Sequence, residues 1–370
     1  MKCLFVIDCL GSGGAQRQMV NLATGLKLRG YDIDFFVYYP DKNHFKDQLT
    51  QLLIPIYSTA KKDKLGVNVI AGLRKLVISQ KYDVVLSFLD TPNFYSEVAS
   101  LGVSSKLIVS ERRMYPPGRL SNSLYLLQQS HRLADHITVN SHHQRERMLR
   151  EFPWMDRKIT TIYNGLDLSV FAPSTEAHVV DPANRRLLAI GSISRHKNAC
   201  NLVRAMNVFK ETYGWAPHIS WVGTRLISGE GVATYDEASR LLQDYGLTQS
   251  WEWLGERHDV PALLATHDAL IHPSFEEGLP NVVCEALGCG KPVLIGDVCD
   301  HSKLVQDGVS GFLFDPGSPN DISAIVAAFY DLNRDQYASM CRAARQYALN
   351  NLSLDFFVDN YEKLFLAVSG

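Results

Sequence analysis

An apolar run breaks into small residues, passes into an amphipathic segment and returns to a second apolar run. This sequence of events occurs at the amino terminus and begins again near residue 187, and nothing else in the chain restricts the fold as much. CLFVID (3–8) reads as a buried strand and GSGGAQ (11–16) as a loop. RQMVNLATGLKLRG (17–30) then reads as a helix with Met19, Val20, Leu22, Ala23, Leu26 and Leu28 on its apolar positions, and IDFFVYY (33–39) as the next strand. Strand, helix and strand joined by short links imply a parallel sheet with right-handed crossovers. YDVVLSFL (82–89), KLIVSE (106–111) and HITVNS (136–141) widen that sheet. LLAIGSIS (187–194) opens a second one, continued by HISWVG (218–223), WEWLG (251–255), DALIHPS (268–274), PVLIGD (292–297) and GFLFDP (311–316).

The expected architecture is α/β, with two Rossmann-like doubly wound domains. The first spans 1–170, a turn-rich linker 171–186, and the second 187–350. A closing helix over 351–370 has the apolar spacing to cross back to the first domain. A chain of 370 residues exceeds one comfortable core, which agrees with this division. Two such halves suggest a ligand cleft between them.

The formal net charge of −2 argues against a nucleic-acid binder that relies on a basic surface. The seven cysteines form no C-x-x-C pair. Cys3, Cys9, Cys284 and Cys289 sit in apolar or small-residue runs, as free buried thiols of a reducing compartment do. The first apolar run is too short for a signal peptide, and no run is long enough to span a bilayer. The expected location is cytoplasmic, including the cytoplasmic face of the inner membrane.

SFEEGLPNVVCEALGCGKPV (274–293) places Glu277 in the loop beyond a strand end and Glu285 on the helix that follows Pro280. Their separation of about 12 Å or less is too large to share one proton and suits gripping two ends of an elongated ligand. Between them the amides of Gly278, Leu279, Asn281 and Val282 at the helix start suit an anion. A solvated loop acid and a helix-surface acid are the plain alternative, with neighbouring Glu276 a solvated spectator. Arg195 and Lys197 in GSISRHKN (191–198) stand at another strand end, where they suit a diphosphate or form an ordinary solvated turn. Asp32 and Asp34 form a D-x-D at the start of a strand, so they read as edge residues and not as a metal pair.

EGLPNVVCEALGCGKPV resembles the E-x7-E region of the family-four retaining glycosyltransferases, which have the GT-B fold. The resemblance extends to GGAQRQMVNLATGLKLRGYDI, TTIYNGLDLSVF, LGERHDVPALLATHDALIHPS and LVQDGVSGFLF, and so to nearly the whole chain. It implies two domains facing each other, the second holding a nucleotide-sugar and the first an acceptor. Glu285 would take the ribose hydroxyls, Glu277 would lie near the donor sugar, and Gly13 and Gly14 would let their loop approach the diphosphate. Lys197 matches the family's lysine, but Ser192 stands where the family has arginine, and Arg195 is the candidate substitute.

SERR (110–113) resembles the branch acting on polyprenyl-diphosphate-linked sugars, with Glu111 as a residue that orients the acceptor hydroxyl. Seven arginines (112, 113, 119, 132, 145, 147, 150) face Asp135 and Glu146, with Tyr115, Leu120, Leu124, Tyr125, Leu126 and Leu127 nearby. Such a region suits an anionic, lipid-bearing acceptor at a membrane, or is a solvated helix face over buried leucines. The expected activity is metal-independent, retaining hexosyl transfer from a nucleotide-diphosphate sugar, UDP-linked by expectation, to a saccharide or polyprenyl-diphosphate-linked acceptor in bacterial surface polysaccharide assembly. It needs no further cofactor. A nucleotide-sugar epimerase of the same architecture and a non-catalytic nucleotide-sugar binder are the alternatives.

Overall fold

The structure is a computed structural model that describes residues 1–112, 121–174, 184–225 and 229–370. Arg113, Tyr115, Arg119 and Leu120 of the basic region lie outside the described residues. The chain forms two compact units, Met1–Gly165 with Leu354–Gly370, and Leu166–Ser353.

In the first unit the apolar runs become β1 (Lys2–Val6), β2 (Asp32–Val37), β3 (Ile56–Ser58), β4 (Val84–Phe88), β5 (Lys106–Glu111), β6 (His136–Val139) and β7 (Ile159–Thr161). Among the described residues they make one parallel sheet in the order β3-β2-β1-β4-β5-β6-β7. β1, β4 and most of β5 are buried on both faces, because helices cover both sides of a parallel sheet. The closing helix Leu354–Ser369 packs on the helix Gly14–Leu28. It contributes Phe357, Val358, Tyr361 and Phe365 to the core around Phe5 and Phe35. The approach is close enough that a Cβ on Gly25 would lie 2.5 Å from Val358 Cγ2. Asp34 is not the edge residue its sequence position suggested. It is buried on β2, inside β3, and accepts a 2.6 Å hydrogen bond from Tyr82 Oη.

The second unit carries β8 (Arg186–Ile190), β9 (His218–Val222), β10 (Trp251–Gly255), β11 (Ala269–His272), β12 (Val293–Gly296) and β13 (Gly311–Phe314). Its parallel sheet runs β10-β9-β8-β11-β12-β13 among the described residues. Residues 166–174 belong to this unit, so the first unit ends at Gly165 and the described start of the expected linker is docked. Arg345 holds that segment through the carbonyls of Phe171 (2.8 Å) and Leu168 (3.2 Å). Gly288 gives it room, since a Cβ there would lie 2.7 Å from Leu166 Cδ2.

Candidate functional site

β8 and β11 are sheet neighbours although two strands separate them in sequence, so the strand order of the second unit reverses between them. Loops leaving two such strands diverge and open a crevice at their carboxyl ends. Asn198, in the left-handed region at φ 63°, ties these loops together. Its buried Nδ2 donates to the carbonyls of Pro273 (3.0 Å) and Pro316 (2.8 Å). The Phe275 amide donates to His196 O at 2.8 Å, closing the second link.

Lys197 lies on the turn Arg195–Lys197 and crosses Gly191, where a Cβ would meet its Cδ and Cε at 3.1 Å. Its Nζ donates to Glu277 Oε1. The same oxygen lies 3.2 Å from Nε2 of His272, a buried residue at the end of β11, and the Glu277 amide donates to Cys299 Sγ at 3.5 Å. Burial alone would push the Glu277 carboxyl up. The His272 hydrogen bond and the Lys197 charge more than reverse this and hold it well below the usual carboxylate range. Burial keeps His272 low despite Glu277, so the imidazole is neutral and serves as a hydrogen-bond donor. Behind it His301, its ring 5.7 Å away and pushed down to about 4 by burial, anchors on Gly296 O at 2.7 Å.

The helix Asn281–Gly288 starts after Pro280, one residue later than a first helical proline would place it. The Val283 and Cys284 amides both go to Pro280 O (3.0 and 3.3 Å). Gly278 and Leu279 lie just before this helix, and Asn281 and Val282 are its first two residues. Glu285 is half-buried on this helix. Glu276 is also half-buried and has partners of its own, unlike a solvated spectator. Lys197 and Glu277 are thus brought together, but Arg195 is not brought to them. It is exposed, forms no ion pair among the described residues, and lines a different pocket with Phe275. Two residues along a tight turn are enough to send the two side chains apart.

In the first unit Gly13 precedes the helix Gly14–Leu28, and both glycines are exposed. The loop is shaped by Asp8, which accepts from the Cys9 amide (2.7 Å) and Gln16 Nε2 (2.8 Å). A Cβ on Gly13 would strike Gln16 Oε1 at 2.2 Å. Glu111 corrects expectation. It is wholly buried, accepts from Asn93 Nδ2 at 3.0 Å and meets His131 Nε2 at 3.0 Å, and does not stand in the open position expected of a residue that orients an acceptor hydroxyl. His131 Nδ1 reaches Glu97 at 2.5 Å. Burial opposes its charge, but the two carboxylates hold it up to about 10, an imidazolium at neutral pH. Arg112 also turns inward, to Ser110, Asn164 and Tyr361 (2.9, 2.6 and 2.6 Å), and leaves the expected basic surface.

His272, Asn198, Cys299 and His301 escaped sequence reasoning. The histidine before Pro273 at a strand end was the one signal available for any of them. Among the described residues no group of three or more His, Cys, Asp or Glu could hold a metal, and no helix is long and apolar enough to cross a membrane.

The family described as Glycosyltransferase Family 4 matches residues 12–170, and Glycosyl transferases group 1 matches residues 173–348. The D-inositol 3-phosphate glycosyltransferase of Mycolicibacterium vanbaalenii is 29% identical over 225 residues, which are 58% of this chain and 49% of that protein. The chain thus spans about half the length of that curated relative. The GalNAc-alpha-(1->4)-GalNAc-alpha-(1->3)-diNAcBac-PP-undecaprenol alpha-1,4-N-acetyl-D-galactosaminyltransferase of Campylobacter jejuni is 24% identical over 325 residues, covering 85% of this chain and 82% of its own. The structure of Anabaena HepE in complex with UDP superposes with a TM-score of 0.82 at 21% identity, covering 99% of this chain and 100% of that one, and shows the GT-B fold. Between them the two family matches take in both units, and the chain belongs to the family-four, group 1 glycosyltransferases.

Proposed function

We propose that the chain is a retaining, metal-independent glycosyltransferase that moves a hexosyl group from a UDP-linked sugar to a saccharide or polyprenyl-diphosphate-linked acceptor during bacterial surface polysaccharide assembly. The observation that carries this reading is the Lys197–Glu277–His272 group at the reversal point between β8 and β11. The undecaprenol-linked substrate of the Campylobacter relative and the UDP held by the Anabaena protein support the acceptor and donor classes. In this reading the acceptor hydroxyl oxygen bonds to the anomeric carbon on the face the diphosphate leaves. The old carbon–oxygen bond breaks with its electron pair on the diphosphate, which also receives the hydroxyl proton. Lys197 and the amides of Gly278, Leu279, Asn281 and Val282 face the charge that develops on the leaving group, and such preorganised donors are a large part of catalysis. Glu285 holds the ribose hydroxyls and Glu277 stands by the donor sugar.

No cofactor beyond the donor is required. Contact with the inner-membrane surface would fall to the region of Tyr125, Leu126 and Leu133, which are exposed beside Arg132. Transfer from a panel of radiolabelled nucleotide-sugars tests the site. Label should reach a saccharide acceptor with the unmodified chain and fail with Lys197→Ala and Glu285→Ala; undiminished turnover in both variants would sink the assignment. Incubating donor without acceptor separates an epimerase, which changes the sugar alone.

A further inference from the structure

Arg195, turned away from Lys197, lines a cavity of about 430 Å³ between the starts of the helices Ala199–Tyr213 and Glu230–Asp244. Its walls include Arg204, Glu230, Thr234, Glu237 and, from the loop after β11, the 41% exposed ring of Phe275. The volume lies within the range of roughly 300–1,000 Å³ usual for small-molecule sites. Two guanidinium groups and two carboxylates share the wall, so the pocket carries no net charge.

Arg204 and Glu237 already pair at 2.6 Å, whereas Arg195 and Glu230 form no ion pair among the described residues. A rigid donor fork and an acceptor-only carboxylate therefore stand on one cavity wall without satisfying each other. A phosphate would meet two carboxylates, and an apolar ligand would strip water from four charged groups at high cost. A neutral ring bearing hydroxyls avoids both penalties. Each hydroxyl accepts from a guanidinium and donates to a carboxylate, and the C–H face of the ring covers an exposed aromatic.

We infer that this cavity is a binding subsite for a neutral pyranose. The inference goes beyond the donor site proposed above and does not depend on it, because the pocket uses neither Lys197 nor Glu285. The ring is a residue of a saccharide other than the transferred sugar, which the reading above puts beside Glu277. Saturation-transfer NMR on the full chain tests it, with the methyl glycosides of glucose, galactose, N-acetylglucosamine and N-acetylgalactosamine as probes and inorganic phosphate as the charged comparator. At least one glycoside should bind the unmodified chain and the Glu285→Ala chain alike. Phe275→Ala and the pocket-filling Ala233→Trp should weaken it about tenfold or more, as loss of a central contact does. Thermal unfolding of both variants confirms that they fold. The glycoside should stay bound when a UDP-sugar or UDP is added; displacement by a UDP-sugar would make the pocket part of the donor site and overturn the inference. No glycoside signal, a signal indifferent to both variants, or phosphate bound in place of glycosides overturns the inference.

Discussion

His131 in the first unit is held between two carboxylates, Glu97 and Glu111, while His272 in the second touches one, Glu277, which it shares with Lys197. Both imidazoles are buried, yet they carry opposite charge states. Two carboxylates outweigh the desolvation of an imidazolium. One carboxylate already neutralised by a lysine does not, and His272 stays neutral. The first group is closed, with no exposed edge to offer a ligand. In the second, the Lys197 and Glu277 side chains keep 16% and 15% of their surface, and an ammonium has three donors. A fully buried ion cluster holds a fold together, whereas a partly exposed one can exchange a partner for a ligand.

Glu111→Ala should give the largest effect, because it leaves a buried imidazolium with one carboxylate. A loss of about 3–5 kcal/mol is expected in denaturant unfolding; a loss below about 1 kcal/mol would mean that the first group is not the closed ion cluster described. Lys197→Ala should change stability little and lower sugar transfer by about 10²–10³-fold, the cost of removing one preorganised donor. Should it instead unfold the chain while a folded fraction keeps its turnover, the two groups would share one structural role.

The pH dependence of the first group follows from its sign. The folded-state value of His131 is raised, to about 10. Its contribution is therefore complete below the unfolded value of about 6.5 and disappears as pH rises through about 10. The stability gap between the unmodified chain and His131→Gln should narrow by about 1.4 kcal/mol per pH unit across that window. A gap that widens with pH would reverse the assigned charge. Gly191→Ala is the mildest test: the added methyl presses on the Lys197 stem, and a fall in transfer of about tenfold is expected with unfolding unchanged.

The two halves, their parallel sheets and the loop that carries Glu277 were legible because each depends on local pattern: buried strands as unbroken apolar runs, a helix start at proline. β3 and β7 were not, since three-residue strands carry too little pattern to separate from loop. The boundary at Gly165 was also out of reach, because residues 166–174 are turn-rich in sequence and are fixed by partners distant in sequence, among them Arg345, Leu352 and Gly288.

The site divides the same way. Residue type and strand-end position marked Lys197, Glu277 and the helix-start amides as candidates beside a solvated reading, and the family resemblance favoured the site. That Glu111 and Arg112 face inward, that Arg195 parts from Lys197, and that His272 completes the Glu277 group are matters of side-chain direction. Direction depends on partners distant in sequence: His131 for Glu111, Tyr361 for Arg112, and β11 against β8 for Lys197. Chemistry is written in the order of residues, but burial and pairing arise only when remote segments meet.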